Sequence, residues 1–105
     1  MAIQTALDKT KIIQLLEDNS QKVREFGVAK LGLFGSYSKD EQTSDSDIDI
    51  LVEFREGKKT YDNFIELAFF LEDILNKKVD LVTRASIVSW LLPDIEKHIQ
   101  YVEYR

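Results

Sequence analysis

Two aspartates spaced two residues apart are the side chains of this sequence best placed to do chemistry. Asp47 and Asp49 stand at the start of an apolar run, residues 48–52, that is typical of a strand. Successive residues of a strand point to opposite sides, so the two carboxylates share one face and Ile48 and Ile50 share the other. Carboxylates in this arrangement can bind a hard divalent cation such as Mg²⁺, which commonly binds together with nucleotide phosphates. The spacing therefore predicts a metal site where this strand begins.

A Gly-Ser pair is separated from the aspartates by ten residues and is suited to binding phosphate. Gly35 and Ser36 end an apolar strand over residues 30–34, and we predict a brief helix over residues 36–41 and a polar turn over residues 42–46. The glycine lets a ligand approach the backbone closely, and a helix N-terminus offers N–H groups to an anion. The sequence thus predicts a triphosphate site beside the metal site.

The order of these elements resembles the signature of the polymerase-β-type nucleotidyltransferases, which is Gly-Ser, a spacer, Asp-x-Asp and a third aspartate on a later strand. The residues that match it are Gly35, Ser36, Asp47, Asp49 and Asp80. The spacer and the small size are most similar to the minimal nucleotidyltransferases, the antitoxin half of HEPN/MNT toxin–antitoxin pairs. The resemblance covers roughly residues 30–83 and is far more specific than a lone Asp-x-Asp.

The resemblance implies an enzyme that moves AMP from ATP to a hydroxyl, that of a tyrosine, on a HEPN-type toxin partner. It also implies two Mg²⁺ ions as cofactors. Asp47 and Asp49 would bridge both ions, and Asp80 would hold the ion nearest the acceptor and help to remove its proton. Asp80 interrupts the apolar run of residues 79–82, where an ionised carboxylate is costly unless it is paired or bound to metal.

Nucleotide binding is assigned by the same resemblance to Gly35 and Ser36, and Lys39 is the nearest cation that can neutralise a phosphate oxygen. In the family an arginine is common at this place and a glycine often follows it, whereas Lys39 is followed here by Asp40. Lysine offers a point charge instead of a bidentate fork, and Asp40 adds a negative charge. This departure predicts weaker triphosphate binding and leaves the metal site intact.

Several residues also have a structural interpretation that the sequence leaves open. The aspartate of the third strand can pair with a neighbouring lysine, Lys39 can be a plain surface residue, and Asp45 is better read as a turn residue than as a metal ligand. Trp90 is a candidate core or interface anchor, and the lone histidine is not expected to be catalytic. The aspartate of the third strand is Asp80, its candidate partners are Lys77 and Lys78, and the histidine is His98. Tyr37 either lines the nucleotide pocket or packs.

Two other functions remain open at this level. One is transfer of a nucleotide to a small molecule, as the aminoglycoside-modifying relatives perform it. The other is neutralisation of a toxin by binding alone, without catalysis. The intact site residues argue against the second, because a protein that only binds has no physical need for clustered carboxylates.

Length and composition restrict the class of protein further. The 105 residues are 44% hydrophobic, which predicts one domain over residues 1–105. The net charge of -5 argues against strong intrinsic nucleic-acid binding by counterion release. The chain has no cysteine, so disulfides and thiolate chemistry are excluded. It has no apolar run of membrane-spanning length and no signal-peptide pattern, so we expect a cytoplasmic protein, with homo- or hetero-oligomerisation left open.

Helical and strand patterns alternate along the chain, which predicts an α/β fold with a small mixed sheet. The resemblance implies a polymerase-β-like nucleotidyltransferase fold, in which helices flank that sheet. A first helix runs from a cap at Asp8 or Thr10 to Gly27, with a weak point at Asn19 and Ser20. The later elements are strands over residues 48–54 and 79–83, a long helix from a cap at Thr60 to about Asn76, and a final helical stretch capped by Ser86 that Pro93 interrupts or restarts.

The long helix is hydrophobic nearly all round, which requires burial on several sides. We expect the C-terminal helix to cover it, and a protein–protein surface is the alternative, since aromatic side chains are enriched in interface cores. The apolar residues are Tyr61, Phe64, Ile65, Leu67, Ala68, Phe69, Phe70, Leu71, Ile74 and Leu75.

Overall fold

A four-stranded mixed sheet organises the computed structural model, which describes residues 6–104. The elements in chain order are α1 (Lys9–Asp18), α2 (Ser20–Glu25), β1 (Val28–Phe34), β2 (Ile48–Phe54), α3 (Tyr61–Leu75), β3 (Val79–Thr83), two 3₁₀ turns (Arg84–Ser86 and Ser89–Leu91), α4 (Leu92–His98) and β4 (Gln100–Glu103). The strand order is β3-β2-β1-β4, with β2 and β3 parallel and the other neighbours antiparallel. The predicted α/β architecture with a small mixed sheet is confirmed.

One face of the sheet forms the core. Alternate residues of β2, such as Ile48 and Ile50, are fully buried there and pack with residues of α1, α2 and α3. Burial of this face supplies most of the driving force for folding. Because strand residues alternate, Asp49 lies on the opposite face.

The C-terminal segment lies over that second face. Gly32 of β1 pairs with Leu51 and Tyr101, and a side chain at Gly32 would collide with Ile99, the residue that follows α4. Gly32, Leu51 and Asp49 share one side of the sheet by alternation. The helices α3 and α4 are therefore on opposite sides of the sheet.

Predicted helix ends are confirmed where side-chain capping sets them. The Asp8 carboxylate accepts a hydrogen bond of 2.8 Å from the Lys11 N–H, and the Thr60 hydroxyl accepts one of 3.1 Å from the Asn63 N–H. The weak point at Asn19 becomes a break between α1 and α2, because its side-chain amide donates to the Leu15 carbonyl at the end of α1.

Three predictions about local structure are wrong or incomplete. Residues 36–41 form successive turns and not a helix, and Ser86 does not cap a helix, because its hydroxyl donates to the Thr83 carbonyl inside a 3₁₀ turn. Pro93 lies in the first turn of α4, so the restart was the correct alternative. Strand β4 was not predicted.

The expectation that the C-terminal helix covers α3 is also wrong. The residues Leu67, Leu71 and Leu75 bury one side of α3, but Tyr61 is 78% exposed and Phe69 is 67% exposed. The helix α4 cannot cover these side chains because it packs on the other face of the sheet. No helix within residues 6–104 has the length and apolar character needed to cross a membrane.

Candidate active site

Strand register brings Asp49 and Asp80 side by side. The parallel pairing of β2 with β3 sets Asp49 opposite Asp80 and Ile50 opposite Leu81. Both aspartates point to the face away from the core, and their side chains are close enough for Asp80 to raise the pKa of Asp49. Two residues that are distant in the sequence thus form one acidic pair.

Burial and neighbouring negative charge raise the pKa of the Asp49 carboxyl to about 6. Partial burial is the largest cause, and the charges of Asp80 and Asp47 add to it. Asp47 precedes β2 and is exposed, as is Asp80. A carboxyl group among other carboxylates resists ionisation when no positive charge offsets their repulsion, and a bound divalent cation would supply that charge.

The donor set fits a hard cation such as Mg²⁺, since all the groups are carboxylate oxygens. Asp49 and Asp80 are partners on adjacent strands, and Asp47 is near enough for its charge to act on Asp49. Nevertheless, in the part of the chain that the structure describes, no three acidic, histidine or cysteine side chains are arranged so that they would hold a metal ion. The structure thus aligns Asp49 with Asp80, and Asp47 is exposed before the start of β2.

Gly35 packs directly against the site. Its φ is +73°, a conformation that favours glycine. A Cβ atom at this position would collide with the Asp49 carboxylate, mainly with Oδ2. The absence of a side chain at Gly35 therefore leaves the space that the Asp49 carboxylate occupies, a role that phosphate binding alone does not explain.

The turns after Gly35 are held by a residue that sequence analysis did not single out. Ser38 is 5% exposed, and both its N–H (3.2 Å) and its hydroxyl (2.9 Å) donate to the Gly35 carbonyl. The Ser36 carbonyl accepts from the N–H groups of Lys39 (3.2 Å) and Glu41 (2.9 Å). A serine three residues after a glycine is a turn pattern, and this spacing was the only signal for Ser38.

Lys39 and Asp40 are engaged with other elements. Lys39 Nζ lies 3.9 Å from Asp94 Oδ2 of α4, and Asp40 Oδ2 lies 3.4 Å from Lys9 Nζ of α1. Asp40 has a φ of +57°, in the left-handed region. This conformation gives a physical reason for the glycine that the family often has at this position.

We expect Asp40→Gly to stabilise the fold slightly. The change removes left-handed strain of about 1 kcal/mol, part of which is offset by glycine's larger unfolded-state entropy and by loss of the exposed ion pair with Lys9. A net gain of about 0.5 kcal/mol in the free energy of unfolding is expected from urea titration. Lys9→Met, which removes only the ion pair, is the control, and a destabilised Asp40→Gly variant would contradict the prediction.

Other residues singled out in the sequence fall outside the acidic pair. Tyr37 packs in the core and also lines a surface cavity with Gln42 and Lys77, whose lining does not include the acidic pair. Trp90 is 76% exposed, so it is not a core anchor. Asp45 lies in a turn as expected, and its N–H donates to the Thr43 hydroxyl. Lys77 donates to the Ser44 carbonyl, and within residues 6–104 neither candidate lysine forms an ion pair with the aspartate of β3. His98 is exposed at the end of α4.

The raised pKa of Asp49 predicts that the metal-free protein loses stability as the pH rises from about 4 to about 6. The folded state binds a proton in this range that the unfolded state, with a pKa of 3.8, has released. The pKa difference corresponds to at most about 3 kcal/mol, and solvent screening of a partly exposed group reduces the expected loss to about 1 kcal/mol. Urea unfolding in EDTA across this pH range measures it. Asp49→Asn should flatten this part of the profile, and an equal slope in that variant would contradict the assignment.

The chain is similar to known proteins over most of its length. A family model described as a nucleotidyltransferase domain matches residues 12–102. The protein adenylyltransferase MntA of Thermococcus cleftensis is 40% identical over 93 residues, which cover 88% of this chain and 93% of that protein.

Solved structures show similarity in both sequence and fold. A toxin–antitoxin crystal structure with AMP-PNP contains a chain that is 34% identical, with a TM-score of 0.61 over 90% of this chain and 72% of that chain. A structure of the tri-AMPylated Shewanella oneidensis HEPN toxin in complex with the MNT antitoxin gives 29% identity and a TM-score of 0.57 over 85% of this chain and 70% of the matched chain.

Proposed function

The chain belongs to the nucleotidyltransferase domain family, and from that membership we propose that it transfers AMP from ATP to a tyrosine hydroxyl of a HEPN-type toxin partner. The predicted family, fold and enzyme class are confirmed by the comparisons, so the protein is a nucleotidyltransferase. The proposal itself concerns the donor, the acceptor and the residues. The single observation that carries it is the acidic pair of Asp49 and Asp80 beside Gly35.

The proposed reaction breaks one bond and forms one. The acceptor oxygen attacks the α-phosphorus of ATP, the bond between the α-phosphorus and its bridging oxygen to the β-phosphate breaks, and pyrophosphate leaves. The hydroxyl proton passes to a carboxylate of the site, for which Asp80 is the assigned group. Because Asp80 is exposed, an approaching hydroxyl can reach it.

Asp47 and Asp49 would hold two Mg²⁺ ions and Asp80 the one nearest the acceptor. When bound, these ions supply positive charge to the attacking and leaving oxygens. Partial burial is the main reason that the pKa of Asp49 is raised, and repulsion among the carboxyls in the absence of positive charge adds to it. The clustered carboxyls therefore suit a positively charged ligand, and without it they do not stabilise the fold.

The phosphate chain would lie along the Gly35–Ser36 turn. The N–H groups of Ser38, Lys39 and Glu41 donate to carbonyls within the turns, so the Ser36 N–H and hydroxyl at the start of the turn are the groups that would meet a phosphate oxygen. Lys39 would exchange its exposed partner Asp94 for a phosphate oxygen, because an exposed ion pair at 3.9 Å contributes little. A triphosphate carries more negative charge than one carboxylate, which favours the exchange.

The relatives support the choice of donor and acceptor. The T. cleftensis relative is a protein adenylyltransferase, a matched complex contains AMP-PNP, and another contains an AMPylated HEPN toxin. These properties belong to the relatives, and they make AMP, a protein hydroxyl and a HEPN-type partner the proposal for this chain. The proposal places the reaction in the cytoplasm, where ATP is available.

Transfer of label from α-phosphate-labelled ATP tests the proposal. The wild-type protein is incubated with Mg²⁺ and a purified HEPN-type protein from the source cells, and labelled protein is identified by mass and by the modified residue. A label on a tyrosine of that protein is the expected result. Label only in small molecules would support transfer to a small molecule. If no acceptor were labelled, neutralisation of a toxin by binding alone would be the remaining function.

A further inference from the structure

The outer side of α3 carries apolar side chains that the core does not use. Tyr61, Ile65 and Phe69 follow one another at intervals of four residues and so form one stripe along the helix. None of the three belongs to the buried core or to the residues packed against it. Leu67 and Leu71, on the opposite side of the helix, already attach α3 to the sheet.

Negative charge accompanies this stripe. Asp62, Glu66 and Asp73 are exposed on the outer side of α3, and the helix contains no lysine or arginine. A surface that combines exposed aromatic rings with charge of one sign is suited to a partner of the opposite sign. We call this surface, formed by the stripe and the three acids, the outer face of α3.

Lysines lie before and after α3 in the sequence but not within the helix, where the acidic side chains are. Residues 58–59 precede α3 and residues 77–78 follow it. The Lys58 side chain packs beside Gly27, and Lys77 donates to the Ser44 carbonyl on the far side of the turn. Neither of these two lysine contacts involves an acid of α3, and the central turns of the helix carry acidic but no basic side chains of their own.

We propose that the outer face of α3 docks a protein segment that presents apolar side chains flanked by lysine or arginine. Apolar anchors would pack against Tyr61 and Phe69, and basic groups would pair with Glu66 and Asp73. A second copy of this chain is a poor occupant, because two identical faces would bring carboxylates against carboxylates. The inference goes beyond the proposed transfer reaction, because Asp49 and Asp80 lie on the opposite face of the sheet and remain accessible.

Two synthetic peptides test the chemical class of the occupant. Both are amphipathic helices of about 18 residues with the same leucine stripe, and one carries lysines beside the stripe where the other carries glutamates. Fluorescence anisotropy of each labelled peptide is measured against the full chain. We expect the lysine peptide to bind and the glutamate peptide to bind at least about tenfold more weakly.

Variants of the exposed residues locate the binding. Tyr61→Ser/Phe69→Ser should weaken the lysine peptide by at least about tenfold, and Glu66→Lys/Asp73→Lys should reverse the preference between the peptides. Trp90→Ser is the matched control, because Trp90 is equally exposed but lies in the segment leading to α4, and it should leave binding unchanged. All these side chains are exposed, so circular dichroism should show intact folding.

Three results would overturn the inference. They are equal binding of both peptides or of neither, retention of binding by Tyr61→Ser/Phe69→Ser, and a dimer in sedimentation that Phe69→Ser dissociates. The last result would assign the outer face of α3 to a second copy of the chain.

Discussion

The double substitution Asp47→Asn/Asp49→Asn is expected to lower AMP transfer at least about a thousandfold. Asparagine keeps the size of each side chain but removes the negative charge that would hold the cations, so the attacking and leaving oxygens lose their stabilisation. The measurement is the initial rate of label transfer to the acceptor, or of pyrophosphate release, at saturating ATP and Mg²⁺. The variant should remain folded.

The stability of the double variant shows whether a loss of activity comes from the missing charges or from unfolding. Because Asp49 resists ionisation in the folded protein, the metal-free double variant should be as stable as the wild type at pH 7, or more stable by about 1 kcal/mol. Asp45→Asn, in the turn two residues earlier, is the matched control and should retain activity. Near-normal transfer by the double variant would refute the assigned mechanism.

Gly35→Ala is expected to reduce kcat/KM by about a hundredfold, because its Cβ would displace the Asp49 carboxylate from its place beside Asp80. The φ of +73° adds a backbone penalty of about 1–2 kcal/mol for any side chain. Steady-state kinetics and urea unfolding of the same preparation measure the two effects.

Gly57→Ala isolates the collision from the backbone penalty. Gly57 also has a positive φ, +79°, but a Cβ there has no atom within 4 Å. We expect it to lose about 1 kcal/mol of stability and no activity. If Gly35→Ala behaved in the same way, contact between Gly35 and Asp49 would have no part in positioning the carboxylate.

Local rules predicted the parts of the fold that depend on local interactions. The caps at Asp8 and Thr60 and the strand from Ile48 follow from residue type and alternation. The prediction that Asp47 and Asp49 share one face rests on the same alternation, but Asp47 precedes β2, and only the effect of its charge on Asp49 links the two in the structure. That Asp80 would meet Asp49 came only from resemblance, since strand register depends on how β2 and β3 pack and not on either strand alone.

The errors of prediction have both long-range and local causes. Strand β4 has a mixed sequence, and its hydrogen bonds with β1 and the pairing of Gly32 with Tyr101 define it. The turns after Gly35 replace a helix because Ser38 folds back onto the Gly35 carbonyl. The exposed outer face of α3 was predicted to be covered, because hydrophobicity alone does not reveal which surface meets the sheet.

Because β2 and β3 pair in parallel, an insertion or deletion would affect the acidic pair differently in the connecting segment and in the strands. The Asp49–Asp80 alignment is fixed by ladder hydrogen bonds, so the connecting segment with α3 can lengthen, shorten or exchange its surface residues without moving either carboxylate. A slip of one residue in the ladder would instead turn the β3 aspartate towards the core. The surface of the connection between β2 and β3 can thus change in evolution and bind new partners while the alignment of the two carboxylates is kept.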